Sequence, residues 1–166
     1  LRQTIQTTLV GAARVAMTSA EASRQQSTAE CTAFLGRVLA LNGGYSAIRI
    51  DRPEGACFAI RASDMAHKNA IMAVFDGKSE AKPVASPATF GAQVMIGAAI
   101  GDGLRTAFVR ARQEEGASVT TAWIMLGPDL LRRAITAVDN LAPGRVALVD
   151  GDGAPIVLGD ESGNGW

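Results

Sequence analysis

The sequence predicts an α+β fold in which a long N-terminal helix and a second helix pack on a central antiparallel sheet. Three observations predict it. In Tyr45 to Arg61, YSAIRIDRPEGACFAIR, the residues Ile48 and Ile50, then Phe58 and Ile60, recur at every second position on either side of Arg52-Pro53-Glu54-Gly55, the pattern of a hairpin. Helix-like runs precede that hairpin, and three strand-like runs follow it, joined by short glycine-containing turns. A chain of 166 residues suits one such domain, or one domain with a projecting helix.

From Leu1 to about Gln26 there is no proline, and only Gly11 interrupts a run rich in Ala, Gln, Thr, Arg and Glu. Ile5, Leu9, Ala12, Ala16, Ser19 and Ser23 recur at spacings of four and three, which predicts a long helix with a narrow seam of small residues. Two readings of that seam stand: it lies on the chain's own sheet, or it pairs with a second copy and carries a signal lengthwise. The domain division is therefore residues 1–26 as this helix and 27–166 as the sheet-bearing domain. Ser27 or Thr28 can cap the second helix, whose apolar stripe is Cys31, Phe34, Leu35, Val38, Leu39 and Leu41. Asn42-Gly43-Gly44 is expected to end it, with glycine in the left-handed conformation.

After the hairpin, Asp64 is a candidate N-cap for a helix to Phe75 with Met65, Ile71, Met72 and Phe75 inward. Asp76 to Gly91 has no period of either kind and reads as a long loop, a candidate lid over a pocket. Gln93–Ile100, Leu104–Arg112 and Ser118–Leu126 read as strands, with turns at Gly101-Asp102-Gly103 and at Gln113–Ala117. Pro128 opens a helix to about Leu141 with Leu130, Leu131, Ile135 and Val138 inward. The last segment, RVALVDGDGAPIVL, reads as a closing hairpin turning at Asp150–Gly153; residues 145–166 complete this domain or begin a second unit.

Composition narrows the function. Sixteen basic and sixteen acidic side chains cancel without long blocks of either sign, which disfavours a nucleic-acid groove or a polybasic membrane patch. The longest apolar runs fall short of the roughly 20 residues that span a bilayer. The chain starts at Leu1 without Met or signal peptide and stops at Trp166 just after a hairpin, so it reads as a piece of a longer protein. Cys31 and Cys57 lack metal-ligand spacing and nearby histidines, so no zinc or other metal site is expected. They are either two buried free thiols or a bridge tying helix to sheet, and a bridge would imply an oxidising compartment.

Catalytic motifs are not supported. Gly101-Asp102-Gly103 opens like a dinucleotide fingerprint, but Thr106 occupies the third glycine position and a strand follows. Asp150-Gly151-Asp152-Gly153 resembles a calcium loop but lacks the later acidic ligands. There is no G-x-S-x-G elbow, and the one histidine, His67, sits among polar neighbours and is read as a surface residue. No enzyme activity and no cofactor are expected. The candidate ligand-binding residues are polar groups sharing strand faces with small apolar ones. Arg105 alternates with Ala107 and Val109, while Trp123 alternates with Val119, Thr121 and Met125. Arg105 would fork onto a carboxylate with Trp123 as a wall and Thr121 beside it. Against this, Arg105 also reads as an edge charge and Trp123 as ordinary core. Arg49 and Arg61 are weaker candidates of the same kind.

The order of elements, with NGGYSAIRIDRPEGACFAIR after the second helix and RVALVDGDGAPIVL at the end, resembles the Cache (PDC, PAS-like) extracytoplasmic sensor domains of bacterial membrane receptors. It is also similar to the sensor halves of membrane histidine kinases in two-component signal transduction. The resemblance covers nearly the whole chain and is strongest where a strand ends in Asp, turns through Gly and returns, at Ile48–Phe58 and Val146–Val157. It implies a periplasmic domain of an inner-membrane protein, flanked by transmembrane helices and a cytoplasmic output domain, with a small ligand held between the sheet and the Asp76–Gly91 loop. It further implies a homodimer signalling through the first helix, in a compartment that permits a Cys31–Cys57 bridge. The Tyr, Arg, Trp and Asp set of the amino-acid-binding branch is incomplete here. The reading from another class is a PAS-like dimerisation module without a ligand.

Overall fold

A computed structural model of the chain describes residues 2–77, 81–83, 91–100, 104–139, 147–149 and 155–158. The first helix, α1 (Arg2–Ser23), and α2 (Thr28–Leu41) meet at a tight joint. Ser27 is the N-cap of α2 in a reciprocal box: its hydroxyl accepts from the Glu30 N–H and the Glu30 carboxylate accepts from the Ser27 N–H at 2.8 Å. Those bonds hold the Glu30 carboxyl below its ordinary range. At the other end α2 is closed by Asn42, whose backbone and side-chain N–H groups return to the Val38 carbonyl. Gly43 and Gly44 are not in the left-handed region, contrary to expectation. Gly44 serves packing instead: a Cβ there would stand 2.8 Å from Leu130 Cδ1.

Among the described residues, β1 (Tyr45–Asp51), β2 (Cys57–Ile60), β3 (Lys82–Pro83), β4 (Ala92–Ile100), β5 (Leu104–Glu115) and β6 (Ser118–Leu126) form one antiparallel sheet ordered β2-β1-β6-β5-β4-β3. The predicted α+β architecture is therefore the observed one. Both N-terminal helices lie on one face of this sheet, α1 over β4 to β6 and α2 over β1 and β2. A 3₁₀ segment, Ala62–His67, leads into α3 (Lys68–Asp76) on the opposite face. After β6 come α4 (Pro128–Asp139) and a separate two-stranded ladder, β7 (Ala147–Val149) with β8 (Pro155–Leu158).

The helix-covered core is built from small residues on both sides. Ala12, Ala13, Ala16, Ser19, Ala20 and Ser23 of α1 are buried, and so are Ala111 and Ala122, which pair across the sheet beside Ile50 and Ala92. Short side chains on both surfaces let the helix lie close to the strands. The seam thus packs on the chain's own sheet, the first of its two readings. A second copy would have to use another face of α1. The side chain of Ile5 lies outside the described residues.

Several expectations shift in detail. The 3₁₀ turn breaks the helical phase assumed from Asp64 to Phe75. Met65 and Met72 are consequently exposed, Asp64 is not the cap, and Ile71, Val74 and Phe75 face the sheet. The two arms of the first hairpin turn their apolar residues to opposite faces: Ile48 and Ile50 under the helices, Phe58 and Ile60 on the other side. The expected loop at 76–91 begins with the end of α3 and contains the edge strand Lys82–Pro83, and the rest of the candidate lid, residues 78–80 and 84–90, lies outside the described residues. So do both Gly-Asp-Gly turns, at 101–103 and at 150–153. No helix of the described residues is long and apolar enough to cross a membrane.

Cys31 of α2 and Cys57 of β2 form a disulfide, with Cα atoms 6.0 Å apart and the pair buried. Closing a loop of this length contributes about 3 kcal/mol in the chain-entropy view.

Candidate functional site

The face of the sheet away from α1 carries successive cross-strand rows of different character. The first, Ile60, Ala47, Met125, Phe108 and Met95, is apolar and lies beneath α3. Phe75 of α3 meets both Phe58 and Phe108 edge to face, at 5.2 and 5.1 Å between ring centroids, and Phe108 meets Trp123 at 6.3 Å. The next row is Phe58, Arg49, Trp123, Arg110 and Gln93, so two guanidinium groups flank one indole. The third is Asp51, Thr121 and Arg112.

Between the second and third rows the surface sinks into an open hollow of about 410 Å³ lined by Asp51, Arg110, Arg112, Val119, Thr121 and Trp123. Its charges are unequally neutralised. Arg49, beside Trp123 though not a lining residue, donates from Nε to Asp51 Oδ1 at 2.8 Å and from Nη1 to Asp76 Oδ1 at 3.1 Å. Arg112 pairs with Glu114 at 2.9 Å. Arg110 lies over Trp123, its Cζ 5.5 Å from the ring centroid, and donates to the side-chain carbonyl of Gln93. Both Arg110 partners are neutral, so among the described residues this cation faces the hollow without a carboxylate of its own. The Trp123 indole N–H is buried and has no acceptor among the described residues.

Trp123, Thr121 and Arg49 are therefore brought together as expected of one site, and the other two candidates are not. Arg105 shares the helix-covered face with Ala107 and Val109, on the opposite side of the sheet from Trp123. The reason is the β5–β6 turn. The strands run on to Glu115 and Ser118, leaving a two-residue turn with Gly116 at φ +58°, which sets Arg110 opposite Trp123. Arg61 stands at the other end of the sheet, near Gly43 and the partly buried Asp64. Burial pushes the Asp64 carboxyl up, and Ser46 and Arg61 oppose that push. Arg110, Arg112, Gln93 and Asp51 were not among the sequence candidates. The alternation Phe108, Arg110, Arg112 on β5 was the available signal.

One buried arginine outside the hollow also escaped the sequence reading. Arg52, the first residue of the hairpin turn, is 6% exposed. It donates to the Ser23 and Gln26 carbonyls at 2.7 and 2.6 Å and to Gly55 O at 3.2 Å. It thereby satisfies the Gln26 carbonyl and adds a second bond to the Ser23 carbonyl, which also accepts from the Gln26 N–H at 3.1 Å.

Searches against protein-family descriptions, curated proteins and solved structures return no significant match. Among the described residues no cluster of His, Cys, Asp and Glu could hold a metal ion.

Proposed function

We propose that the chain is a noncatalytic sensor domain that binds a small anionic molecule in the hollow and belongs to an extracytoplasmic region of a bacterial membrane receptor, of the Cache kind. The observation that carries the ligand class is Arg110, a cation laid on Trp123 with only neutral partners. A guest carboxylate or phosphate would meet a guanidinium that need not be pulled from a protein carboxylate first, and charge-assisted bonds of this sort are the stronger ones. Arg112 and the Thr121 hydroxyl stand at the rim and offer a guest oxygen further donors.

The receptor context rests on two supports. One is the Cache resemblance itself, carried by the order of elements, helices followed by an antiparallel sheet. The Cys31–Cys57 bridge is compatible with a periplasmic compartment. In this reading, flanking transmembrane helices and a cytoplasmic output module, a histidine kinase by the resemblance, lie in the parent protein, which acts as a homodimer.

The test is a thermal-shift and calorimetric screen with carboxylates and inorganic phosphate at constant ionic strength. A ligand raises the melting temperature with concentration. Arg110→Gln is expected to weaken its binding by about tenfold, the loss of one charge-assisted bond. A dimerisation module without a ligand would respond to none of these anions. Equal affinity in the Arg110→Gln protein would remove Arg110 from the site.

A further inference from the structure

We infer that Arg52 is the clasp through which occupancy of the hollow reaches the end of α1. The inference rests on the hollow being a ligand site. It starts from strand geometry: neighbouring residues on a strand point to opposite faces. At the end of β1, Asp51 lines the hollow, and Arg52, next in the chain, reaches the far side and grips α1. The same juxtaposition recurs on β5. Arg112 lines the hollow, while Gln113 donates to the Met17 carbonyl in the last third of α1 and accepts from Arg24 just beyond its end. Two adjacent pairs thus join the same two places through the thickness of the sheet.

Arg52 makes the stiffer of the two links. Its side chain is fully buried, and beside an ion pair to Glu54 at 3.4 Å its guanidinium is held by the carbonyls of Ser23, Gln26 and Gly55. A buried charge stripped of such partners is strongly destabilising. The end of α1 must therefore follow β1 rather than part from it. An anion seated on Arg110 would stand beside Asp51, whose negative charge it repels and whose partner Arg49 it attracts. The resulting shift at Asp51 is passed to Ser23 and Gln26 by the next residue. Arg52 is a positioning residue in this scheme and touches no ligand.

The experiment is hydrogen exchange followed by mass spectrometry on peptides covering residues 19–28, with two arms. In the first, Asp51→Asn alters the hollow side without touching α1. It should change exchange over 19–28 by about threefold or more, the scale of a modest shift in local opening. In the second, the same substitution is made in an Arg52→Lys background, where the charge remains and the fork is lost, and the effect over 19–28 should disappear. Should Arg52→Lys not fold, Thr28→Val, which removes the weakest Arg52 contact at 3.4 Å, takes its place and should reduce the effect. A change confined to the β1–β2 hairpin in the Asp51→Asn protein would overturn the inference, and so would an undiminished effect in the double variants. Neither arm uses a ligand, so failure of the anion screen is a separate result. Where an anion is found, it should shift the 19–28 peptides of the wild-type protein and not those of Arg52→Lys.

Discussion

The helix-covered face of the sheet and the face that bears the hollow are made by the same strands, yet they are finished differently. On the first, Ile48, Ile124 and Val109 stand in one row and Ile50, Ala122, Ala111 and Ala92 in the next, all closed over by α1 and α2. On the second, α3 covers the apolar row around Phe108, and the charged row beyond it is left open. Stability is concentrated where side chains are small and matched. The proposed binding capacity lies where charge is left over. Substituting both faces of the same strands puts that contrast to the test.

The largest effect is expected on the closed face. Ile124 is fully buried between Ile48 and Val109, so Ile124→Ala deletes methyl groups that the helices cannot collapse to replace. A loss of about 3 kcal/mol is expected in urea unfolding. A loss under about 1 kcal/mol would mean that α1 is loosely seated and that the two faces are closed to a similar degree. Breaking the disulfide with Cys31→Ser and Cys57→Ser together should cost about 3 kcal/mol by the same measurement. The bridge ties α2 to β2, so the loss should leave anion binding in the hollow unchanged.

This contrast was only half legible in the sequence. Period-two alternation at Ile48 and Ile50, and the small-residue seam from Leu9 to Ser23, identify the closed face, because burial on one side imposes a pattern that needs no partner to be read. The open face depends on register. A five-residue turn at Gln113–Ala117 would place Ala107 opposite Trp123 and Arg105 beside it. The actual two-residue turn moves the pairing to Arg110 and exchanges the faces of β5 relative to β6. Trp123, Thr121 and Arg49 survive that change, since each was placed by its own strand. Arg105 does not, and Arg61 is lost for a different reason, its position past the end of β2. Arg52 was hidden because a charged residue before Pro in a turn ordinarily faces water, and nothing local announces that α1 ends above it.

Gly97 lies on β4 just past Met95, on the side of the Phe108 row away from the hollow. A Cβ there would stand 2.6 Å from Phe108 Cε2 and 2.7 Å from Thr106 Oγ1, and Phe108 is held between Phe75 and Trp123 with no room to retreat. Gly97→Ala should cost about 2 kcal/mol through overpacking. Because Phe108 supports the indole, tryptophan fluorescence should shift as well. A stable variant with an unchanged spectrum would show that the aromatic ladder is not what positions Trp123.

The smallest effect on stability is expected at Arg110. Its replacement by Gln removes a stacking contact with Trp123 and a bond to Gln93, both at a partly exposed site, so unfolding should change by no more than about 1 kcal/mol. If Arg110→Gln were instead as damaging as Gly97→Ala, the guanidinium would be a cover for the indole, and its lack of a carboxylate would reflect packing. A near-silent melt together with weakened anion binding has the opposite meaning, because a cation kept without an acidic partner and without a share in stability is kept for something outside the fold.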